Sequence, residues 1–338
     1  MAGSLHARGE FRLTSEVAPV LSVVLVTPAR YQRIHKTMRH LHSQSLRERM
    51  EVIIVCPSLA ELDASDEGWQ DFYEVRCIEV GLIRSTGEVR AAGAFEARAE
   101  VVAFAEDHCF PGPGWAEALV EAHRGTWGGV GATLTNANPS SLLSWADLFL
   151  NFGPCVMRKS GGVSRFIPWH NSSYPKAALV EYGDDLGRML EVEGVLHLDQ
   201  ERRGRELFLC AAATTDHVNI SRFDSFLSGQ FWGGRMFWAA LMRRERWPLW
   251  KRLGLAVASP ALGLVRIERA LREMRRAGKL RSLLPAVLPA LCAGVLAISL
   301  GALAGALFGA GDAMNHRISA ELYRERHLRE GDRRLLTA

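Results

Sequence analysis

The sequence predicts an α/β fold in which a mostly parallel sheet is flanked by helices. Short β-branched runs such as Leu21–Val26 and Glu51–Cys56 are followed by prolines and alternate with stretches of helical spacing, a pattern typical of parallel sheets. The length of 338 residues, with 48% apolar and 23% charged residues, suits one large domain with an appendage. The last third adds a run of 30 residues without a charge, from Ser282 to Gly311.

The other elements of the predicted sheet follow in chain order. Strands are predicted at 73–80, 100–105 and 128–135, an apolar run at 207–217, helices at 33–46, 87–98, 115–123 and 191–203, and a polar loop at 171–176. Ligands of such sheets bind outside the carboxyl ends of the strands. Thr27, Ser58 and the triplet Glu106-Asp107-His108 fall at these ends, which predicts a ligand site there.

The triplet Glu106-Asp107-His108 offers three metal-capable side chains between a buried strand and a Pro/Gly break. In a strand-end loop such side chains can converge on one divalent cation. The cation would neutralise a diphosphate and stabilise it as a leaving group. The alternative interpretation is a solvated turn that happens to be acidic.

The positive charge is concentrated late in the chain. Between Arg243 and Arg281 there are twelve Lys or Arg and three Glu, which indicates lipid headgroups, nucleic acid or a solvated helix face. Because the uncharged run follows directly, we expect an anionic lipid surface and no nucleic-acid partner. That run, with Pro285 and Pro289 near its start, predicts one transmembrane helix. The alternative is a buried core helix.

Residues 1–17 contain no apolar core of signal-peptide type. Together with the denser positive charge before the predicted span, this places the globular domain on the cytoplasmic side of the cell inner membrane. Six cysteines form no CxxC pair, as expected of reduced thiols. The predicted divisions are a tail at 1–17, an α/β domain at 18–225, interfacial helices at 226–281, a transmembrane helix at 282–311 and a tail at 312–338.

These elements resemble family 2 glycosyltransferases of the GT-A fold over about residues 20–225. The resemblance is carried by the strands at 21–26 and 51–58, by Arg90-Ala-Ala-Gly93, and by Phe104-Ala-Glu-Asp-His-Cys-Phe-Pro-Gly-Pro-Gly-Trp115. It implies inverting transfer of a sugar from a nucleotide diphosphate sugar to an acceptor hydroxyl. With the predicted anchor, the acceptor would be lipid-linked or a membrane-proximal glycan.

The resemblance also implies an Asp-x-Asp metal motif, whose two places are taken here by Glu106 and His108. Mn²⁺ or Mg²⁺ would be the cofactor, with Asp107 as a further ligand. His217 would complete the metal or diphosphate site, although a lone histidine is also compatible with a satisfied core position. The candidate contacts of the nucleotide sugar are Thr27, Arg30, Ser58, Arg90, Glu106 and Asp107. For Arg90 a surface position is the alternative.

The family's catalytic carboxylate corresponds to Glu193, which would deprotonate the acceptor. Its competitor Glu191 is about 200° around a helix, so only one should face the site. The alternative is that both are surface carboxylates. Asn171, Ser172 and Ser173 occupy the place of a loop for the donor sugar or acceptor, with a helix N-cap as the other interpretation.

The sequence also departs from the family pattern. Cys56-Pro57-Ser58 replaces the usual Asp-Asp-Gly-Ser, so base recognition must differ, and His108 suits Mn²⁺ better than Mg²⁺. Residues 230–238 are a loose echo of a Gln-x-x-Arg-Trp acceptor motif, or an interfacial segment. Two rival functions stay open. One is a catalytically silent, membrane-tethered protein that binds a nucleotide sugar or acts as a scaffold, and the other is a nucleotidyltransferase. Sugar, base, acceptor and oligomeric state are left open by the sequence.

Overall fold

The structure is a computed structural model that describes residues 18–64 and 68–337, with the backbone alone at 255–262. The predicted tail at 1–17 lies outside the described residues. The predicted α/β class is confirmed, because nine strands form one sheet with helices on both faces. The strands are β1 (Leu21–Val26), β2 (Met50–Cys56), β3 (Glu74–Glu79), β4 (Val101–Ala105), β5 (Cys109–Pro111), β6 (Gly129–Asn136), β7 (Gly162–Ser164), β8 (Ser172–Pro175) and β9 (Leu207–His217).

The helices fall between and after these strands. They are α1 (His35–His42), α2 (Leu59–Leu62), α3 (Thr86–Glu96), α4 (Trp115–Ala122), α5 (Leu142–Phe152), α6 (Lys176–Val180), α7 (Leu186–Glu191), α8 (Glu193–Arg202), α9 (Phe223–Arg244), α10 (Leu249–Arg276), α11 (Leu280–Leu283), α12 (Leu288–Phe308), α13 (Ala313–Leu322) and α14 (Glu330–Arg333). The predicted strands and the helices at 33–46, 87–98 and 115–123 are confirmed within a few residues at each end.

The sheet is parallel at one end and mixed at the other. Its order is β3-β2-β1-β4-β8-β6-β9-β5, with β7 paired to β9. The pairings from β3 to β4 are parallel, whereas β8 runs antiparallel to both β4 and β6. The predicted polar loop at 171–176 is therefore wrong, since Ser172–Pro175 is an internal strand. Its small buried serines and the fully buried Tyr174 fit between neighbouring strands.

The two faces of the sheet are covered by different helices. Val24 and Ile53 pack towards α3, α7 and α8, whereas Val23 and Ile54 pack towards α1 and α4. This alternation follows from the period of two of a β-strand. Both faces are apolar because both are buried, as expected for parallel strands between helical layers.

The predicted helix at 191–203 is two helices. Val192 has φ −132° and ψ 75°, which ends α7 and lets α8 begin at Glu193. Because the chain turns at Val192, the expectation that Glu191 and Glu193 diverge around one helix is wrong. Both side chains point inward, with exposures of 5% and 1%.

The long helix α9 begins the segment predicted as interfacial helices at 226–281, and it is partly buried. Its residues Phe226, Gln230 and Leu241 are buried, because α9 packs against α12 on one side and α8 on another. Glycines bring α12 close to α9. A Cβ added to Gly301 would lie 1.9 Å from the carbonyl oxygen of Phe231, so only a glycine fits this backbone approach.

Among the described residues one helix, α12, is long and apolar enough to cross a membrane, a property that a buried core helix shares. The chain after it packs on the α/β domain. Lys36 Nζ donates to Leu335 O at 2.7 Å and Asn138 Nδ2 donates to the Asp332 carboxylate at 3.2 Å. A single crossing would place 313–336 across the membrane from the sheet. The prediction of one transmembrane helix followed by a C-terminal tail stays a prediction, and these contacts show that the tail is packed on the α/β domain.

Candidate functional site

The triplet lies in a tight reversal between β4 and β5. Glu106 forms a β-bridge with Cys109, and β5 pairs antiparallel with β9 so that Cys109 lies opposite His217. The Val218 N–H donates to His108 O at 2.9 Å. This short pairing brings His217 to the triplet across about 110 residues of sequence, with the His108 and His217 ring centroids 5.2 Å apart.

Glu106, His108 and His217 form a cluster able to hold a metal ion. One ligand atom from each lies within 4.8 Å of the others, and all three residues are buried. Burial lowers the pKa of His108 and of His217 well below the usual range, so both rings are neutral as metal ligation requires. Two imidazoles and one carboxylate suit Mn²⁺ or another transition metal better than Mg²⁺.

Each histidine of the cluster is oriented by a second side chain. Asp107 Oδ1 lies 2.7 Å from His108 Nδ1, and Asn219 Oδ1 lies 2.8 Å from His217 Nδ1. With the ring proton on Nδ1, each histidine offers the lone pair of Nε2, as metal-binding histidines do. Asp107 therefore contacts His108 and is not among the three clustered residues, so its predicted role as a metal ligand stays a prediction.

The segment 313–327, which follows α12, covers this cluster. Arg324 Nη2 donates to His108 Nε2 at 2.5 Å, and Arg317 donates to His170 Nε2. Glu321 faces Glu106. Burial and this carboxylate raise the pKa of Glu106 well above its usual range, while that of Glu321 is lowered by neighbouring arginines against the effect of burial. Sequence reasoning treated these residues as a tail and missed them.

Glu193 lies behind the cavity rather than in its wall. Its Oε2 accepts from the Tyr174 hydroxyl at 2.9 Å, and its Oε1 accepts from the His170 backbone N–H at 2.9 Å. His170 Nδ1 lies 2.7 Å from the same Oε1. Burial acts to raise the pKa of Glu193, but His170, Arg90 and His197 lower it to about 2. Glu193 is thus an ionised carboxylate that holds His170, which does line the cavity.

The competitor Glu191 has a structural role. Its carboxylate accepts hydrogen bonds from Ser85 Oγ, from Thr86 Oγ1 at 3.0 Å and from the Gly87 backbone N–H at 2.9 Å. It thereby caps the N-terminus of α3, where a negative charge is favoured by the helix dipole. The surface-carboxylate alternative is wrong for Glu191 and for Glu193.

The polar run at 171–173 divides into one site residue and two structural residues. Asn171 Nδ2 donates to Glu106 Oε2 at 2.5 Å. Ser172 Oγ donates to Pro168 O at 2.6 Å, and Ser173 Oγ donates to Val130 O at 3.2 Å. The two serines are bonded to backbone carbonyls next to β8, so they neither cap a helix nor face the cavity.

The residues predicted to contact the nucleotide sugar differ from one another in burial. Arg90 is 3% exposed, with Nη2 3.8 Å from Glu106 Oε1 and Nη1 without a hydrogen-bond partner, so the surface alternative is wrong. Thr27 is fully buried and its Oγ1 donates to Ala29 O at 3.2 Å. Arg30 is exposed and Ser58 half-buried, at the ends of β1 and β2.

A cavity opens beside the cluster, between the sheet, α5, α9 and α13, and sequence reasoning missed one of its carboxylates. Asp147 accepts from the Ile220 N–H at 3.1 Å and from Gln230 Nε2 at 3.1 Å. Burial raises the pKa of Asp147 to about 6, against the opposing effect of Arg324. The signal was available, because Asp147 is the one charged residue in the apolar helix α5. Cavity-lining residues include Glu106, Asp147, His170, His217, Trp232 and Arg324.

Comparison with known proteins yields distant structural likenesses. No family model matches the sequence, and no curated protein matches it. Among solved structures, GalNAc-T7 with UDP, GalNAc and Mn²⁺ aligns at 12% identity and a TM-score of 0.43, over 60% of this chain and 44% of that one, less than half its length. S. aureus TarS 1–349 in complex with UDP aligns at 12% identity and a TM-score of 0.45, over 84% and 90% of the two chains.

Proposed function

We propose that this chain is an inverting glycosyltransferase of the GT-A type that transfers a sugar from a nucleotide diphosphate sugar. The observation that carries the proposal is the cluster of Glu106, His108 and His217, with both histidines offering Nε2. It lies at the end of β4, where sheets of this kind bind ligands. A divalent cation held there would supply positive charge against the departing diphosphate.

His170 is the proposed base that accepts the proton of the acceptor hydroxyl, and Glu193 holds His170 in position. The acceptor oxygen forms the new bond to the anomeric carbon while the bond from that carbon to the diphosphate oxygen breaks, and His170 Nε2 receives the proton. The nearby carboxylate of Glu193 stabilises the resulting imidazolium. Arg317 must first leave Nε2. This revises the prediction that Glu193 is itself the base, since Glu193 does not reach the cavity.

A membrane surface is the proposed location of the acceptor. Leu264 and Val265 of α10 and Leu296, Leu300 and Phe308 of α12 are exposed apolar side chains, between 49% and 77% accessible. Twelve Lys or Arg lie between Arg243 and Arg281. An apolar face beside dense positive charge fits attachment to anionic lipid on the cytoplasmic side of the inner membrane. The acceptor would then be a lipid-linked or membrane-proximal glycan.

A thermal-shift screen of nucleotide sugars with and without Mn²⁺ tests the proposed function. A donor that binds the folded state raises the melting temperature by mass action, and we expect the rise to require Mn²⁺. The variant Glu106→Gln should lose the rise, whereas Glu121→Gln, an exposed helix residue, should keep it. If all common donors leave the melting temperature unchanged, the nucleotide-sugar proposal is rejected.

The rival of a catalytically silent binding protein predicts a different result. Such a protein would show the same donor-induced rise but no turnover. The buried His170–Glu193 pair favours catalysis, because a protein that only binds has no need of a neutral histidine held by an ionised carboxylate in its cavity.

A further inference from the structure

The cluster is completed by residues that lie beyond the apolar helix α12. The segment 313–327 runs back along α9, with Trp232 stacked on His316 at 4.3 Å between ring centroids. Arg33 Nη2 donates to Leu322 O at 3.0 Å and ties the segment to the end of β1. The segment is therefore fixed over the site at both ends.

Arg324 is a buried cation whose hydrogen-bond donors are largely unused. Its exposure is 5% and its Nε has no hydrogen-bond partner. Its charge acts against the effect of burial to lower the pKa values of the neighbouring Asp107 and Glu321, but its guanidinium forms no close ion pair with a carboxylate among the described residues. Its one hydrogen bond is to the neutral His108 Nε2. Removal of a charge from water is offset only when its hydrogen-bond donors are satisfied, so the unused donors of Arg324 favour an anionic ligand.

The contact between Arg324 and His108 also excludes a metal ion. The Nε2 lone pair of His108 accepts from Arg324 in this structure, and the same lone pair is the one that the cluster offers to a cation. Both cannot use it at once. A cation bound to His108 Nε2 would displace Arg324 from that atom and leave its guanidinium next to the cluster, free to bind an anionic ligand.

Arg317, which lies in α13 before Arg324, makes a similar contact with a second histidine. It donates to His170 Nε2, and its Nε has no hydrogen-bond partner, although Glu321 Oε1 lies 3.6 Å from it. Two arginines of one segment thus occupy the lone pairs of two site histidines. Both histidines must be freed for the proposed reaction, one for the cation and one for the acceptor proton.

We propose that Arg324, supported by Arg317, binds the diphosphate of the donor, so that the segment after α12 forms part of the donor site. The guanidinium is a planar fork of donors that matches phosphate oxygens and forms charge-assisted bonds. Diphosphate binding moves both arginines from the histidines to the ligand. The inference rests on the proposed function and adds to it the residues that recognise the diphosphate.

The test compares the wild-type chain with Arg324→Gln, Arg324→Lys and Arg326→Gln. Arg326 is exposed and lies two residues away in the same segment, so its variant is the matched control. Calorimetry would measure the Kd of UDP and GDP with Mn²⁺, of uridine and guanosine, and of Mn²⁺ alone. Circular dichroism would check that each variant is folded.

We expect Arg324→Gln to raise the Kd of the nucleoside diphosphate by about tenfold or more, as for loss of a charge-assisted hydrogen bond. Nucleoside binding should not change. Mn²⁺ alone should bind at least as tightly as to wild type, because a competitor for His108 Nε2 is removed. Arg324→Lys keeps the charge but not the planar fork of donors, so its Kd for the nucleoside diphosphate should be intermediate. It replaces Arg324→Gln in the test if that variant does not fold.

Three results would overturn the assignment of Arg324. These are an unchanged diphosphate Kd in Arg324→Gln, an equal loss of nucleoside binding, and an equal loss in Arg326→Gln. A wild-type chain that binds neither UDP nor GDP would instead contradict the proposed function itself. Failure of the inference and failure of the proposed function are therefore distinguished by the wild-type measurement.

Discussion

At the residue scale, what the site can bind depends on which ring nitrogen of each histidine carries a free lone pair. His108 and His217 each direct Nδ1 to an oxygen of a neighbouring side chain and Nε2 to a shared space. A carboxylate or amide oxygen on Nδ1 fixes the tautomer and makes the ring a better ligand. The importance of Asp107 thus lies in its contact with His108.

Removal of that contact gives a prediction for metal binding. Asp107→Ala should weaken Mn²⁺ binding by roughly 10- to 100-fold while leaving the ligating atoms in place. Asp184→Ala, at an exposed position before α7, should not change the Kd. Isothermal calorimetry with MnCl₂ measures both, and equal Kd values for the two variants would show that Asp107 does not orient a ligand.

A pH profile tests the pairing of His170 with Glu193. Burial and Arg90 lower the pKa of His170, and Glu193 opposes this effect. The neutral base is therefore present at neutral pH, and kcat/KM should fall only as the pH drops below about 6.5, the ordinary histidine pKa. Glu193→Gln removes the opposing charge, so it should lower kcat and shift this limb to lower pH. If the acidic limb of the kcat/KM profile does not move in Glu193→Gln, the titrating group is not His170.

At the scale of elements, the buried parallel strands could be predicted, whereas the strand β8 and the break between α7 and α8 could not. The runs at 21–26, 51–56 and 101–105 are short, β-branched or apolar, and buried on both faces, so their composition alone indicates strands. The break at Val192 and the strand at Ser172–Pro175 depend on neighbours far along the chain. Tyr174 is fixed by Glu193, and no local pattern reports that contact.

The residues of the candidate site also divide into those that could be predicted from the sequence and those that could not. Glu106 and His108 could be predicted because they come where a strand ends, whereas His217 was implied by the family resemblance. The pairing of β5 with β9 brings His217 to them. Arg317, Glu321 and Arg324 could not be predicted, since the fold of the segment after α12 is determined by packing on α9. The uncharged run of α12 has the length and composition of a membrane span, and a buried core helix shares both.

The α9–α12 packing gives a stability prediction. Gly301→Ala forces a Cβ against the carbonyl of Phe231 and should lower the free energy of unfolding by about 1–3 kcal/mol. Gly254→Ala is the matched control, since its added Cβ meets nothing within 4 Å and should raise that free energy by up to about 1 kcal/mol. Urea unfolding measures both. Equal values would mean that α12 does not pack on α9 in solution.

At the scale of the whole molecule, the position of the C-terminal segment determines the relation to the membrane. Contacts from Lys36 and Asn138 to residues 332–335 hold the C-terminal segment against the α/β domain, and we infer from them that both ends of α12 lie on one side of the membrane. The exposed apolar side chains of α10 and α12 can then enter the headgroup region without a crossing.

This arrangement predicts the accessibility of tags in cells. If the protein attaches to the cytoplasmic side of the membrane without a crossing, as we propose, reporter tags at the N- and C-termini should both be protected from protease added to spheroplasts. Purified protein should bind vesicles that contain phosphatidylglycerol, and binding should weaken at high salt. Cleavage of the C-terminal tag alone would restore the single crossing and contradict the contacts of residues 313–336.

The central claim, that the cluster of Glu106, His108 and His217 serves the transfer of a sugar, is tested most directly by release of the nucleoside diphosphate. Purified full-length protein would be incubated with a panel of nucleotide sugars, Mn²⁺ and a membrane extract as the acceptor source. The account predicts release from at least one donor, dependent on Mn²⁺ and abolished by Glu106→Gln and by His170→Asn. Undiminished release in Glu106→Gln, or no release from any donor, would contradict it.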